Sequence, residues 1–210
     1  MEEMIQKKET RGKTLLLHSC CAPCSSYVLT YLRKVFRITV LYYNPNITEE
    51  EEYRKRAAEE KRFIDVLNGD TEALSGEAFS IEYVDGDYTP GRFLDAVKGY
   101  EHCPERGQRC EICFRLRLSE TAKEALKRKA DYFATTLTLS PLKDAELLNR
   151  IGEEEGKRLG VTYLPSDFKK KGGYLKSIEL SKEYGLYRQD FCGCMFSKAQ
   201  RIREKEAKKK

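Results

Sequence analysis

The feature that most limits how this chain can fold is a regular alternation of short apolar runs with longer stretches of helical periodicity. Thr14–Leu17, Arg37–Tyr43, Phe79–Val84, Asp131–Thr136 and Val161–Leu164 have the length and composition of strands. Between them, helical spacing predicts helices from Ser25 or Ser26 to Lys34, from Thr48 to about Leu67, from Pro90 toward Tyr100, and over Glu111–Lys129 and Asp144–Leu159. Gly160 is suited to stop the last of these. Strands separated by helices pair in parallel through right-handed crossovers. The expectation is a three-layer, Rossmann-like α/β fold: a mostly parallel sheet with helices on both faces.

Such sheets bind ligands at the carboxyl ends of their strands, and the unusual residues of this sequence collect there. Cys20-Cys21-Ala22-Pro23-Cys24 follows the first strand and Asn44-Pro45-Asn46 the second. Asp85-Gly86-Asp87-Tyr88, Thr136–Pro141 and Ser166–Lys171 follow the other three. Cys110 and Cys113 form a second CxxC near the start of a helix, where thiolates are stabilised as ligands or nucleophiles. With two His in the chain, a closed metal site here must be mostly sulfur. Sulfur ligation suits zinc or iron–sulfur clusters, and spacing does not separate them. Cys192-Gly193-Cys194 is a different signal: a redox-active dithiol whose disulfide is strained and easily reduced, or a further pair of metal ligands. Cys103 stands alone.

Composition narrows the class. Hydrophobic residues make up 40% and charged residues 35%, as in a soluble globular protein, and no linker divides the chain. A charged leader over 1–12, one α/β domain over 13–198 and a basic tail over 199–210 are expected. No apolar run approaches the roughly 20 residues that cross a bilayer, and the charged Met1–Lys13 lacks the apolar stretch of a secretory signal. A cytoplasmic protein with no membrane partner is therefore expected. In that reducing compartment, eight cysteines point to metal binding or redox chemistry rather than structural disulfides. The net charge of +5 is modest and partly due to Lys205, Lys208, Lys209 and Lys210. A sharper signal is Lys169-Lys170-Lys171 beside Gly172-Gly173, a cationic, flexible loop able to follow phosphates.

These motifs, together with Tyr43-Asn44-Pro45-Asn46-Ile47, Arg109–Arg117 and Leu186–Cys194, resemble in order those of the epoxyqueuosine reductases of the QueH family. The resemblance covers almost the whole chain apart from leader and tail. It implies a nucleotide α-hydrolase (HUP-like) form of the α/β fold and reduction of epoxyqueuosine to queuosine at the wobble position of tRNA without cobalamin. It also implies a [4Fe–4S] cluster on Cys20, Cys21, Cys110 and Cys113, and a redox-active pair at Cys192 and Cys194. Cys24 is a substitute ligand, or holds an additional mononuclear iron with a nearby carboxylate; Asp85, Asp87 and Asp167 are the acids on strand-end loops. The electron donor is unidentified.

Removing an epoxide oxygen requires an acid. His18, Tyr88 and Asp167 are the candidates, with Asp87 beside them; His18 is equally readable as a structural histidine at a strand end. Arg115, Arg117, Lys169, Lys170, Lys171 and Arg188 are the candidates for tRNA contacts, and Tyr174, Tyr184, Tyr187 and Phe191 for base stacking or core packing. Two other functions fit parts of the pattern. Cys21-Ala22-Pro23-Cys24 between strand and helix has the local form of a thioredoxin-like disulfide oxidoreductase. A zinc-stabilised RNA-binding module explains the cysteines and lysines without catalysis.

Overall fold

Three consecutive leucines, Leu15, Leu16 and Leu17, are each at most 1% exposed, and a strand buried on both faces must lie inside a sheet covered on both sides. The computed structural model describes residues 2–76 and 78–208; Met1, Glu77, Lys209 and Lys210, the last two belonging to the expected basic tail, lie outside the described residues. Its strands are β1 (Thr14–His18), β2 (Arg37–Tyr42), β3 (Ile81–Asp85), β4 (Tyr132–Thr135) and β5 (Thr162–Tyr163). All pair in parallel, in the order β3-β2-β1-β4-β5. The helices are α1 (Glu2–Ile5), α2 (Ala22–Leu32), α3 (Glu50–Gly69), α4 (Thr71–Gly76), α5 (Pro90–Ala96), α6 (Gln108–Lys127), α7 (Ala145–Leu159), α8 (Gly173–Glu183) and α9 (Met195–Ala207).

Successive strand residues point to opposite faces. Leu15 and Leu17 pack with Val28, Leu29 and Leu32 of α2 and Phe63, Ile64 and Leu67 of α3. Leu16 packs on the other face with Phe114, Leu118 and Ala122 of α6 and Leu148 and Ile151 of α7. The expected three-layer, Rossmann-like architecture is the one observed. Strand order reverses at β1, which lies between β2 and β4, so the loops leaving β1 and β4 part and leave a crevice between them.

Several boundaries differ from expectation. α2 starts at Ala22, with Cys21 as its N-cap and Pro23 in its first turn, instead of at Ser25 or Ser26. Proline's fixed φ suits that position, and the two serines turn inward: Ser25 Oγ donates to Cys21 O and Ser26 Oγ to Pro23 O. Thr48 does not cap α3, whose N-cap is Glu49; its hydroxyl accepts instead from Met195 N. α6 begins at Gln108, which brings Cys110 into its first turn. Residues Thr136–Leu139 form a 3-10 helix. The sequence pattern does not announce α8 and α9. α8 packs closely because Gly173 lets the chain pass where a Cβ would lie 1.9 Å from Phe168 O. α9 runs continuously across residues 198 and 199.

Close approach without a Cβ also joins α7 to the sheet edge. At Gly156 a Cβ would lie 2.6 Å from Val161 O, a backbone atom that cannot swing away. Gly156→Ala is therefore expected to destabilise the protein by about 1–3 kcal/mol despite alanine's better helix propensity. Gly91→Ala, in the open first turn of α5, should be neutral or stabilising. Urea denaturation of the two variants checks both; equal stabilities would mean that α7 does not dock as described.

Candidate active site: a thiol cavity at the sheet crevice

The segment leaving β1 is held from three sides. His18 is fully buried, with Nδ1 3.0 Å from Thr135 Oγ1 and Nε2 3.0 Å from Tyr43 O. A carbonyl can only accept, so Nε2 carries the proton and Nδ1 accepts from the Thr135 hydroxyl, which itself accepts from Leu137 N. Burial, reinforced by the nearby Arg117 cation, lowers the His18 pKa to about 4. The imidazole is neutral with both nitrogens occupied, the structural arrangement rather than that of a free acid. Asn44 Nδ2 donates to Ser19 O at 2.8 Å, and Ser19 N donates to Leu41 O.

From this fixed base the chain turns into α2, and the Sγ atoms of Cys20, Cys21 and Cys24 all fall within 4.8 Å of one another. The Cys20 and Cys21 sulfurs are 3.8 Å apart, the spacing of two thiolates sharing a tetrahedral ion at bonds of about 2.3 Å. The trio is thus a group able to hold a metal. One thiolate among three thiols is stabilised by the others: hydrogen bonds from Cys21 and Cys24, with the Lys143 cation nearby, hold Cys20 well below the usual thiol range. The same interaction pushes Cys21 up to about 12 and Cys24 well above its ordinary value.

The trio opens on a cavity of about 150 Å³, whose wall includes Arg56, Arg117, Lys143, Arg188, Gln189 and Cys192. Gln189 Nε2 donates to Cys21 Sγ at 2.9 Å. Behind it lies a second thiol group. Cys110, Cys113, Cys192 and Cys194 line a small cavity with Arg109, Arg117 and Asn46. Burial pushes Cys113 up to about 12 and Cys194 up to about 11. Arg117 is 1% exposed, and its Nε donates to Cys113 O while Nη2 has no partner among the described residues. Desolvation opposes its charge, but the thiols of Cys113, Cys192, Cys20 and Cys110 outweigh it and raise its pKa.

The Cys192–Cys194 loop is fastened by residues remote in sequence. Arg56, buried and paired with Glu52 at 2.6 Å, donates to Cys192 O at 3.3 Å and Phe191 O at 3.4 Å. Asn46 Nδ2 donates to Cys192 O, and Thr48 N to Gly193 O. Gly193 has φ +116 and would meet Ile47 at 2.8 Å with a Cβ, so the position admits glycine on two grounds. Cys194 caps α9, its sulfur accepting from Ser197 N. All eight cysteines are free, so no disulfide joins Cys192 and Cys194.

The expected site residues are thus partly gathered and partly dispersed. Cys24, and not Cys110 or Cys113, neighbours Cys20 and Cys21; the CxxC of α6 lies with the Cys192 pair on the far side of the cavity wall. The cavity lining does not include Asp87, Tyr88 or Asp167. The Tyr88 hydroxyl donates to Thr48 O and its ring packs on Tyr53 at 4.5 Å, while Asp167 pairs with Lys169 at 3.2 Å and Lys170 at 3.8 Å. Arg115 sits on a separate groove, bound to Glu154 at 2.8 Å. Arg117, a candidate for tRNA contacts, is buried among the thiols on the cavity wall rather than on a solvated helix face. Arg188 borders the cavity, bonded to Ser181 Oγ at 2.9 Å. Arg56, Glu60 and Lys143 went unnoticed in the sequence. The first two share the stripe of Tyr53, Ala57, Phe63, Ile64 and Leu67, so helical periodicity marks them as buried charges. Lys143 carries no such signal.

A thiol-rich crevice at the strand-order reversal of a parallel sheet, lined with buried cations, defines a Rossmann-like protein built for thiolate or metal chemistry. The sequence model of the family described as epoxyqueuosine reductase QueH matches residues 15–200. The chain is 40% identical over 199 residues to the epoxyqueuosine reductase QueH of Streptococcus pyogenes serotype M1, covering 94% of this chain and 76% of that one. It is 41% identical to the Staphylococcus epidermidis protein of that name, covering 94% and 82%, and 37% identical to that of Thermotoga maritima, covering 92% and 94%. The chain belongs to the QueH family, whose members are named for an oxidoreductase activity. Among the described residues, no helix is long and apolar enough to cross a membrane.

Glu60 lies beneath the first thiol loop, wholly buried, and burial raises its pKa from 4.5 to about 8 against the pull of Ser25 and Ser19. Cys20, Glu59, Tyr42 and Tyr83 are its ionisable neighbours. Between the two values the folded chain holds a proton that the unfolded chain has lost, so this group's contribution to stability falls as pH rises through that window. Denaturation curves should show Glu60→Gln gaining on the wild type by up to about 1 kcal/mol per pH unit across it. A difference independent of pH would mean that Glu60 is ionised throughout.

Proposed function

We propose that this protein reduces epoxyqueuosine in tRNA to queuosine, as an iron–sulfur enzyme that does not use cobalamin. The single observation that carries the reading is the Cys20, Cys21 and Cys24 trio, open to a cation-lined cavity in a member of this family. The reaction takes two electrons and two protons, breaks both C–O bonds of the epoxide and releases the oxygen as water. Of the four ligands that the family resemblance implies for a [4Fe–4S] cluster, Cys20 and Cys21 stand in the trio and Cys110 and Cys113 lie across the cavity wall. Cys24 is the nearest further thiol, available as a substitute or to an additional mononuclear iron. When bound, such a centre supplies electrons one at a time from an external donor and a Lewis acid for the epoxide oxygen.

The chain's own groups divide the remaining work. The His18 and Asn44 hydrogen bonds hold the first cysteine loop rigid, and Arg56 and Asn46 hold the Cys192–Cys194 loop, the redox-active pair, at the opposite wall. Hydrogen bonds from Cys21 and Cys24 hold the Cys20 thiol well below its usual range, which favours the thiolate form that ligates metal. Tyr174, Phe191, Arg188 and Arg201 border the cavity and suit the anticodon loop, with aromatic rings for unpaired bases and cations for phosphates. Lys169, Lys170 and Lys171 extend that positive surface along the loop after β5.

Protein reconstituted anaerobically with iron and sulfide, then given a chemical reductant and epoxyqueuosine-containing tRNA, should yield queuosine in the digested nucleosides with or without cobalamin. A loaded enzyme that binds this tRNA and yields none overturns the substrate assignment. Serine replacements of Cys20 or Cys21 should lose iron and turnover together, whereas the Cys192→Ser, Cys194→Ser double variant should keep its iron and lose turnover. Loss of iron from the double variant would make those cysteines ligands.

Neutralising Lys169, Lys170 and Lys171 together should weaken tRNA binding and flatten its salt dependence, because each phosphate contact releases counterions. An unchanged salt slope would leave the three as solvated surface.

A further inference from the structure

Every candidate acid drawn from the sequence is placed away from the reacting space or fully committed. His18 is neutral with both nitrogens bonded, and the cavity lining includes none of Asp87, Tyr88 and Asp167. The cavity cations are mostly engaged as well. Arg56 is bound to Glu52 and two carbonyls, Arg188 to Ser181, and Arg201 to Glu204 and Glu105. Guanidinium groups also do not give up protons in proteins.

Lys143 and Arg117 Nη2 are the exceptions, and of the two groups only the lysine can give up a proton. Lys143 lies on the wall of the thiol cavity, and among the described residues its Nζ has neither a carboxylate within ion-pair distance nor a hydrogen-bond acceptor. Its backbone is fixed on both sides. Lys143 N donates to Ser140 O at 3.1 Å, its carbonyl accepts from Lys169 Nζ at 3.4 Å, and the next residue, Asp144, caps α7 through Glu146 N and Leu147 N. The stem therefore starts from a rigid point and delivers three unused N–H donors to the cavity. Lys143 is half-buried and its ammonium has no protein acceptor among the described residues, and an oxygen that gains negative charge during the reaction is the acceptor this position lacks.

We propose that Lys143 is a catalytic residue, the proton donor to the oxygen leaving the substrate epoxide. The assignment rests on the epoxide-reducing reading above. As the first C–O bond opens, the Lys143 ammonium hydrogen-bonds to the oxygen and passes it one proton. Water at the cavity mouth returns that proton to the amine and supplies the second one needed as the other C–O bond breaks and the alkene forms. Both electrons come from a one-electron chemical reductant, dithionite in the test below.

The test compares wild type, Lys143→Arg and Lys143→Ala under single-turnover conditions with saturating epoxyqueuosine-containing tRNA, alongside iron content and tRNA affinity. Arginine keeps the charge but is a poor proton donor. Both variants are expected to keep their iron and to bind tRNA within about twofold of wild type. Each should turn over about 100-fold or more slowly, the usual scale of a general acid. Methylamine added to Lys143→Ala should restore part of the rate, an effect that a merely structural lysine would not give. A Lys143→Arg rate close to wild type overturns the assignment, as does a loss of rate that follows loss of iron or of tRNA affinity. An inactive but fully loaded wild type, by contrast, sinks the epoxide reading itself.

Discussion

The His18 imidazole fastens the structure on which the site depends. It stands at the end of β1 and reaches β4 through Thr135 and the end of β2 through the Tyr43 carbonyl, so one ring ties the three central strands together where they terminate. Because it is buried and one partner is a carbonyl, one tautomer satisfies both bonds and the orientation is unique. The first cysteine loop leaves from the next residue. Its sulfurs can hold a spacing of a few ångströms because the backbone that carries them is anchored there, at Ser19 by Asn44, and at Cys21 by the first turn of α2.

Around that anchor the molecule collects charges that cannot be understood one by one. Arg117, buried, and Lys143, half-buried, are cations without carboxylate partners among the described residues, while hydrogen bonds from Cys21 and Cys24 hold the Cys20 thiol well below its usual range. Each is costly alone, and together they compensate one another. The two thiol groups are thereby coupled through the Arg117 guanidinium although about ninety residues separate α2 from the CxxC of α6. The Asn44-Pro45-Asn46 turn adds a mechanical link: Asn44 secures the first cysteine loop and Asn46 the Cys192–Cys194 loop.

How much of this was legible in the sequence follows from which forces act locally. The strands, α3 and α7 show the apolar periodicity that burial on a sheet imposes, and Asp144 and Gly160 mark the ends of α7 as helix chemistry requires. α8 and α9 escaped notice for opposite reasons. α8 buries small serines, Ser177 and Ser181, in place of a clear apolar stripe, and α9 is a charged helix held mainly by Phe196, Ser197 and its thiol cap. The cysteines announced the site, since paired thiols on strand-end loops have few uses. Their grouping was not legible, because it depends on how α6 is rotated against β1 and where the last loop returns. Nor was Lys143, an ordinary lysine in sequence that becomes unusual through the cavity it faces.

The cap at the start of α9 bears on how thiol-blocking experiments with this protein are to be interpreted. The Cys194 sulfur closes the first turn of that helix, so alkylating or oxidising it removes a helix cap, at a cost of about 1 kcal/mol, as well as a reactive group. Inactivation by iodoacetamide would then combine a chemical loss with fraying of the segment that carries Gln200 and Arg201 to the Glu105 loop. Serine, whose oxygen is a good cap, separates the two effects and alanine does not. At this position the choice between two routine replacements determines whether an experiment reports on the chemistry of the thiol or on the folding of the C-terminal helix.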